Sequence, residues 1–597
     1  MSGIILRIDL TNQSFSKEHV NSRLIENLIG GKGFGTWILQ NEIDVKKDPF
    51  DPLNPLIFSI GPATGIIPGA SKYGVFFRSP LTGIYGESYS GGSFAYELKK
   101  ANFECIIIKG RASKPIYLWL SDNSVEFRDA RYLWGLDTYQ TEDLIKEELG
   151  NKNVKVASIG PAGEHMVKFA CISNDYWRQA GRCGAGALMG SKNLKAIAVK
   201  GDSNPNFAKS DELKNLILEL LDNIKKNPAL AETYPRYGTP SLVDITNLVG
   251  VFPTEYWKKG QLRGWDKINA EAIRKNIFIK SKACLGCPIG CGKLVEVTYG
   301  KYKGTKIEGP EYETIYAFGG LCKINELDAI VKINDVCDRL GLDTISTGNV
   351  VSFAIEAYER GVLHIDKPIQ YGNSESVLDL IEKIALRQGI GNILAEGVKR
   401  ASEILGLQEI AVHVKGLEPA GYDPRGLKGM ALSYGISSRG ACHLRSTAYI
   451  FELRGVVDRA SVEGKAVLVK EYEDRFAIFD SLILCRFLRD VVDWSMLTKI
   501  SRLTTGIDFD EKKLRSIAEY IIDESRIFNV KCGISRKDDY LPDRFMKEPL
   551  REGPSEGQII SKKDMDLMLN EYYQLRKWDN EGIPLAFDAN KRQLKKN

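Results

Sequence analysis

The stretch 210-SDELKNLILELLDNIKKN-227 marks a change in the character of the chain. Ser210 offers a side-chain oxygen as an N-cap, and Asp211 and Glu212 suit the electropositive first turn of a helix. Leu213, Leu216, Ile217, Leu220 and Ile224 then follow at helical spacing. Before this helix the chain reads differently. Up to about residue 200, apolar runs such as 55-PLIFSIGPATG-65, 73-YGVFFRSPLTGIYG-86, 104-ECIIIKG-110 and 194-LKAIAVKG-201 end in glycine-rich turns, as strands do. Leu6, Ile8 and Leu10 alternate with Arg7, Asp9 and Thr11, the pattern of a half-buried strand. After residue 227 helical periodicity dominates. The fold class predicted is α+β, with an N-terminal β-rich domain (1–208) followed by two mainly α-helical domains (209–417 and 418–597).

A chain of 597 residues exceeds what one core holds, which agrees with this division. Hydrophobic residues make up 43% and charged residues 27%, as in a globular protein, and no apolar run has the length of a membrane span. Eleven cysteines with no regular framework argue for reduced thiols, and the N-terminus lacks a signal pattern. A cytoplasmic location is expected. The net charge of +5 shows no basic stripe interleaved with aromatics, so neither nucleic acid nor membrane is an expected partner.

Three of the cysteines are crowded into 281-SKACLGCPIGCGK-293, where Cys284, Cys287 and Cys291 are spaced C-x2-C-x3-C. Thiolates at this density ligate soft metals, so zinc and iron–sulfur are the two readings. Structural zinc asks for a second pair, and none follows, which favours a [4Fe–4S] cluster. A cubane needs a fourth thiolate, for which Cys322, Cys337, Cys442, Cys485 and Cys532 are all candidates.

Two aspartate loops echo each other. A helix predicted from an N-cap at Asn325 ends at Gly341, giving 338-DRLGLDT-344; later comes 480-DSLILCR-486. Both read D-x-x-x-L-(D/C)-x. An aspartate at the C-terminal end of a helix opposes the dipole, so a solvated or locally capped carboxylate must be weighed against a binding role. The two loops with C-x2-C-x3-C resemble the aldehyde:ferredoxin oxidoreductase family, tungsten enzymes with paired pyranopterins. The resemblance extends over 79-SPLTGIYGES-88, 159-IGPAGE-164, 181-GRCGAGALMGSKNLKAIAVKG-201, 309-GPEYET-314, 421-GYDPRGLKGMALSYGISSRGACHLRS-446, 541-LPDRFMKEPL-550 and 572-YYQLRKWDNEGIP-584.

The resemblance implies that each loop holds one pterin, through Asp338, Leu342 and Asp343 in the first and Asp480 and Leu484 in the second. It makes the N-terminal domain cofactor-binding and implies four dithiolene sulfurs on one tungsten or molybdenum, with Cys485 as fourth cluster ligand. Ile483 stands where family members often carry glycine. The glycines of 184-GAGALMGSKN-193 miss both nucleotide-loop patterns, lacking the G-K-[ST] order. A nest of backbone N–H groups for the pterin phosphates and their magnesium is the reading preferred there. Arg182 matches a family arginine that contacts the cofactor, beside Cys183, Gly184 and Gly186. Tyr89 and Lys72 depart from a common asparagine and a frequent arginine.

Of five histidines, His19, His165, His364 and His413 lie in structural contexts, whereas His443 matches the family's active-site segment. Glu313 matches the carboxylate beside the metal. The resemblance therefore implies Glu313 as general base and His443 as donor to the substrate carbonyl, in an enzyme that oxidises an aldehyde and reduces ferredoxin. A relative acting on glyceraldehyde-3-phosphate or a non-aldehyde substrate is the alternative, and a nonredox zinc-binding protein is the reading from another class. No E-x-x-H subunit-bridging motif occurs, and self-association into a homo-oligomer is left open.

Overall fold

Strand-forming sequence before residue 200 builds two six-stranded sheets. The first contains β1 (Ile4–Asp9), β2 (Ser14–His19), β3 (Leu56–Ser59), β4 (Tyr73–Arg78), β5 (Tyr85–Ser90) and β6 (Phe103–Lys109), in the order β2-β1-β6-β3-β4-β5. The second contains β7 (Ile116–Ser121), β8 (Ser124–Asp129), β9 (Lys155–Ser158), β10 (Ile172–Asn174), β11 (Arg178–Ala180) and β12 (Leu194–Val199), in the order β11-β10-β9-β12-β7-β8. This computed structural model describes residues 3–122, 124–203, 210–365 and 367–585; the expected boundary at 208/209 and the outer ends at 1 and 597 lie outside them. Leu6, Ile8 and Leu10 are buried as the alternation predicts, packing with Leu56, Phe58 and Ile106. Ile5 is buried too, because the other face of the sheet packs Ile57, Phe76 and Ile107 against the helix Gly31–Glu42. Both faces of the inner strands are covered, and only the edge strand β2 is left to solvent.

Helices dominate the rest. Ser210 caps the helix Asp211–Lys226 by accepting a bond from Leu213 N, and Leu213, Leu216, Leu220 and Ile224 are buried, with Ile217 at the margin. The helix Leu327–Leu340 begins one residue later than predicted: Glu326, not Asn325, holds the N-cap position and makes no side-chain cap bond. A third sheet interrupts the helical part. β13 (Phe278–Lys282), β14 (Gly292–Glu296) and β15 (Lys306–Glu308) form a meander, with Lys282 opposite Gly292. The cysteine stretch 283–291 is thus the loop of a β-hairpin. Short strands bearing Lys280, Ser281 and Lys282 carry too little apolar pattern to announce themselves.

The two aspartate loops have the same backbone. Gly341 (φ 76°) and Ile483 (φ 63°) are both left-handed, and the following leucines fold back: Leu342 N donates to Cys337 O at 2.9 Å and Leu484 N to Phe479 O at 2.8 Å. This is the Schellman helix ending, with an aspartate two residues inside each C-terminus. A β-branched residue in this conformation is strained, yet the Ile483 side chain is buried, and burial offsets the strain.

The sheets clasp both loops in matching ways. Ser59-Ile60-Gly61-Pro62-Ala63 follows β3 and Ser158-Ile159-Gly160-Pro161-Ala162 follows β9. A Cβ on Gly61 would come within 2.5 Å of Leu482 C, and one on Gly160 within 2.5 Å of Leu340 C. Beyond each clasp, Cys485 N donates to Gly69 O at 3.0 Å and Asp343 N to Phe169 O at 3.2 Å. The two sheets therefore present the two helix ends in matching positions. Gly61→Ala is expected to cost about 1–3 kcal/mol, since neither backbone can yield. Gly455→Ala, at a left-handed glycine with open space around it, should cost only the smaller conformational term. Thermal denaturation of both variants checks this ordering.

Candidate active site

Both loops bring their aspartates into the interior with unlike partners. Asp338 accepts from Gln179 Nε2 and Asn334 Nδ2, each at 2.7 Å, and burial with Asp335 nearby pushes its carboxyl well above the ordinary range. Asp343 caps the helix Thr344–Glu359, accepting from Ile345 N and Ser346 N, and lies 2.9 Å from Arg182 Nε. Asp480 instead meets two cations, Arg445 Nη1 at 2.8 Å and Arg486 Nη2 at 2.6 Å. Arg445 continues to Glu87 at 2.7 Å, and Lys32 reaches the same carboxylate at 3.0 Å. Burial alone would raise the Glu87 carboxyl, but Arg445, Lys32 and Arg439 outweigh it and hold the group far below the usual carboxylate range. Tyr89 hydroxyl donates to Glu87 at 2.7 Å, and Arg445 lies over the Tyr89 ring, so this departure from the family pattern is built into the network.

Glu313 and His443 come together at the centre. Glu313 sits in the short helix Tyr312–Thr314, which runs into a π-helical turn over Ile315–Gly320, a feature often found at functional sites. Its Oε2 accepts from Gly421 N at 3.0 Å, and its Oε1 lies 3.5 Å from His443 Nε2. The pair is not ionic. Burial pushes the Glu313 carboxyl up to about 8, whereas burial and the arginines 439, 182, 445 and 486 drive His443 well below its ordinary value. Burial thus favours the protonated form of Glu313 and the neutral imidazole of His443.

Several buried polar atoms here have no hydrogen-bond partner among the described residues: Glu313 Oε1, His443 Nδ1, Arg182 Nη1, Arg439 Nε, Arg445 Nε, Arg486 Nη1 and Thr447 Oγ1. Each of these four arginines has a partner elsewhere, through Asp343, Glu87 or Asp480, yet keeps a buried N–H to spare, which is costly unless something accepts from it. A polyanionic, hydrogen-bond-accepting group fits this donor set, as a phosphorylated pterin would.

Among the glycines after Arg182, Cys183 (φ 71°) and Gly184 (φ 82°) are consecutive left-handed residues leading into the helix Ala185–Ser191. Cβ atoms on Gly184, Gly186 and Gly190 would strike Lys168 O, Cys171 O and Gly163 O at 2.0, 2.3 and 1.9 Å. Close backbone packing thus requires glycine at all three positions.

The hairpin loop places Cys284, Cys287 and Cys291 near Cys485. Burial raises the Cys287 thiol to about 11, with Cys485 and Cys284 adding to the rise, and burial, Glu311 and Cys485 likewise raise Cys291. Cys485 thus lies within electrostatic reach of two of the hairpin thiols. The other fourth-ligand candidates are engaged elsewhere: Cys322 bonds Ala317 O, Cys442 accepts from Arg439 Nη2 at 2.9 Å, Cys337 is buried beside Asp338, and Cys532 neighbours Arg78. Among the described residues, no three His, Cys, Asp or Glu side chains stand close enough to share a single metal ion.

Sequence reading missed Lys32, Glu87, Arg439, Arg445 and Arg486. Arg439 and Arg445 lie within the quoted segment around His443, so their density there was the available signal.

The donor set of this site suits a buried anionic group. The family model for the aldehyde ferredoxin oxidoreductase N-terminal domain matches residues 5–201, and that for domains 2 and 3 matches residues 215–592. The chain belongs to the aldehyde ferredoxin oxidoreductase family and is an oxidoreductase. It is 38% identical to the tungsten-containing aldehyde ferredoxin oxidoreductase of Pyrococcus furiosus, over 97% of this chain and 96% of that protein. It is also 31% identical to an aliphatic sulfonate oxidoreductase, WOR-like subunit, from the same organism, over 98% and 95%. The fold matches the active site complex BamBC of benzoyl coenzyme A reductase with TM-score 0.86 and 25% identity, covering 99% of this chain and 97% of that one. Family membership sets aside the nonredox zinc reading. Among the described residues no helix is long and apolar enough to cross a membrane.

Proposed function

We propose that this chain oxidises an aldehyde to a carboxylic acid and passes the electrons to ferredoxin. The balance is R–CHO + H2O → R–COO⁻ + 3H⁺ + 2e⁻. The observation that carries the reading is the buried Glu313–His443 pair ringed by unpaired guanidinium donors. Ionised Glu313 takes a proton from the water that adds to the carbonyl. Neutral His443 donates a hydrogen bond to the carbonyl oxygen from Nδ1, its unpartnered nitrogen. Tyr422, with its ring centroid 5.6 Å from that of His443, helps to exclude bulk water.

The cofactors follow the same reading. Asp338, Leu342 and Asp343 would hold one pterin with Arg182, Cys183, Gly184 and Gly186; Asp480 and Leu484 would hold the other. Cys284, Cys287, Cys291 and Cys485 would ligate a [4Fe–4S] cluster, and backbone carbonyls would serve Mg²⁺ between the pterin phosphates. When bound, the tungsten or molybdenum centre supplies the two-electron sink and the cluster divides the pair into single electrons. We assign the N-terminal domain (1–208) as the base of the cofactor site, with one aspartate loop contributed by each of the domains 209–417 and 418–597.

Anaerobically purified protein is expected to hold about four irons per chain, the content of one cubane, with one tungsten or molybdenum and two pterins. Stoichiometric zinc without iron would refute the cluster. A panel of aldehydes with an added aliphatic sulfonate tests the substrate, and turnover of the sulfonate alone would overturn the aldehyde assignment. Replacing Cys485 by Ala is expected to abolish or convert the cluster spectrum, whereas Cys105→Ala, in the β-sheet core, leaves it intact.

A further inference from the structure

The hairpin that carries Cys284, Cys287 and Cys291, together with the helix Ala270–Asn276 that leads into it, is rich in basic residues. Residues 271–291 contain Arg274, Lys275, Lys280 and Lys282 against one acid, Glu271, in a chain whose net charge is only +5. Lys275 and Lys280 make no ion pair among the described residues. Lys282 and Arg274 rest on the rings of Trp177 and Phe278, at 5.7 and 5.3 Å, and Lys282 also lies within electrostatic reach of Glu308. β13 is an edge strand, paired on one side only. At the loop tip Leu285 is 47% exposed, and a Cβ on Gly286 would meet nothing within 4 Å. The thiols just behind this tip are only partly buried, in contrast to the enclosed Glu313–His443 centre.

We propose that this face, formed by β13 and the tip of the cysteine loop, is the docking surface for an acidic one-electron carrier of the ferredoxin kind. The proposal rests on the cluster assignment made above. An exposed apolar tip at the end of a strand bearing Lys280 and Lys282 matches a carrier whose own cluster lies beneath an acidic surface, and charge of this kind mainly accelerates encounter. Each aldehyde oxidised releases two electrons, so two oxidised carriers dock in succession and each leaves reduced by one. Lysines on an edge strand also discourage strand pairing between molecules. Acidic residues would serve that purpose equally well, so reversing the charge separates the two roles.

The test is the Lys280→Glu/Lys282→Glu double variant, with Lys562→Glu/Lys563→Glu on the exposed start of the helix Lys562–Arg576 as a control of equal net charge. With an acidic [4Fe–4S] ferredoxin as acceptor, kcat/KM of the double variant is expected to fall on the order of tenfold or more, and its decline with added salt to flatten. With a small viologen dye, kcat should match wild type, which also shows the variant to be folded and loaded. Unchanged ferredoxin kinetics and salt dependence in the double variant, or an equal loss in the control, would overturn the proposal. Direct binding of oxidised ferredoxin to immobilised wild type and variant, read by interferometry, needs no turnover. If no aldehyde supports dye reduction by wild type, the functional reading fails. Binding that is lost in the double variant would then still uphold the docking face, and equal binding would refute it.

Discussion

Glu313→Gln lowers kcat by on the order of 10²–10⁴ while leaving metal and pterin content unchanged, the usual loss when a positioned general base is removed. Glutamine keeps the shape and can still accept from Gly421 N, so the loop should remain in place. Rate against pH gives an independent readout. Burial raises Glu313 to about 8, so the ionised, proton-accepting form is a minority at pH 7 and grows with pH. Wild-type activity should therefore climb about tenfold per pH unit below that value and level off above it, as expected for an essential base. The Gln variant should lose this limb. His443→Asn should cause a smaller loss, felt most in kcat/KM for weakly electrophilic aldehydes, because it removes a hydrogen bond and not the base. Both assays use a viologen acceptor so that electron exit does not limit the rate. A metal-replete Glu313→Gln enzyme with wild-type kcat would place the base elsewhere.

What could be read in the sequence was local. The helix 211–226, the hairpin-bound cysteines and the paired D-x-x-x-L loops each lie within about twenty residues, and cap chemistry or thiolate spacing states their purpose directly. Ile483 shows the limit of such rules: left-handed backbone asks for glycine, yet the loop keeps its shape because tertiary burial offsets the strain. The Ser-Ile-Gly-Pro-Ala repeat was visible as letters, but its meaning lies in Gly61 and Gly160 meeting helix ends far along the chain. Cys485 is as ordinary as Cys532 until folding brings it to the hairpin. The charged partners of Asp480 were the least legible. Lys32 and Glu87 are 55 residues apart, Glu87 and Arg445 are 358 apart, and no periodicity links them.

That buried network carries the largest expected effect on stability. Glu87 is fully enclosed and faces Lys32 and Arg445, while Asp480 faces Arg445 and Arg486. Three cations thus share two carboxylates, and the surplus positive charge points toward the site where the anionic cofactor is proposed to bind. Glu87→Gln leaves those cations against Asp480 alone. Breaking a buried pair by removing one partner typically costs about 3–5 kcal/mol, because the charge left behind has neither water nor counter-ion. The variant should relieve this by losing the Lys32 proton, since burial already lowers that ammonium from its ordinary value. The folded variant then binds fewer protons than its unfolded chain, so its stability should rise as pH is raised from 6 to 9, relative to wild type. Adding Lys32→Met restores the original surplus of one cation, so the double variant should be more stable than Glu87→Gln alone and should lose the pH dependence. Thermal unfolding of the cofactor-free proteins across that pH range measures both effects. A Glu87→Gln protein as stable as wild type, with no dependence on pH, would show that the arginines are hydrated in the absence of cofactor and that the network contributes little to the fold.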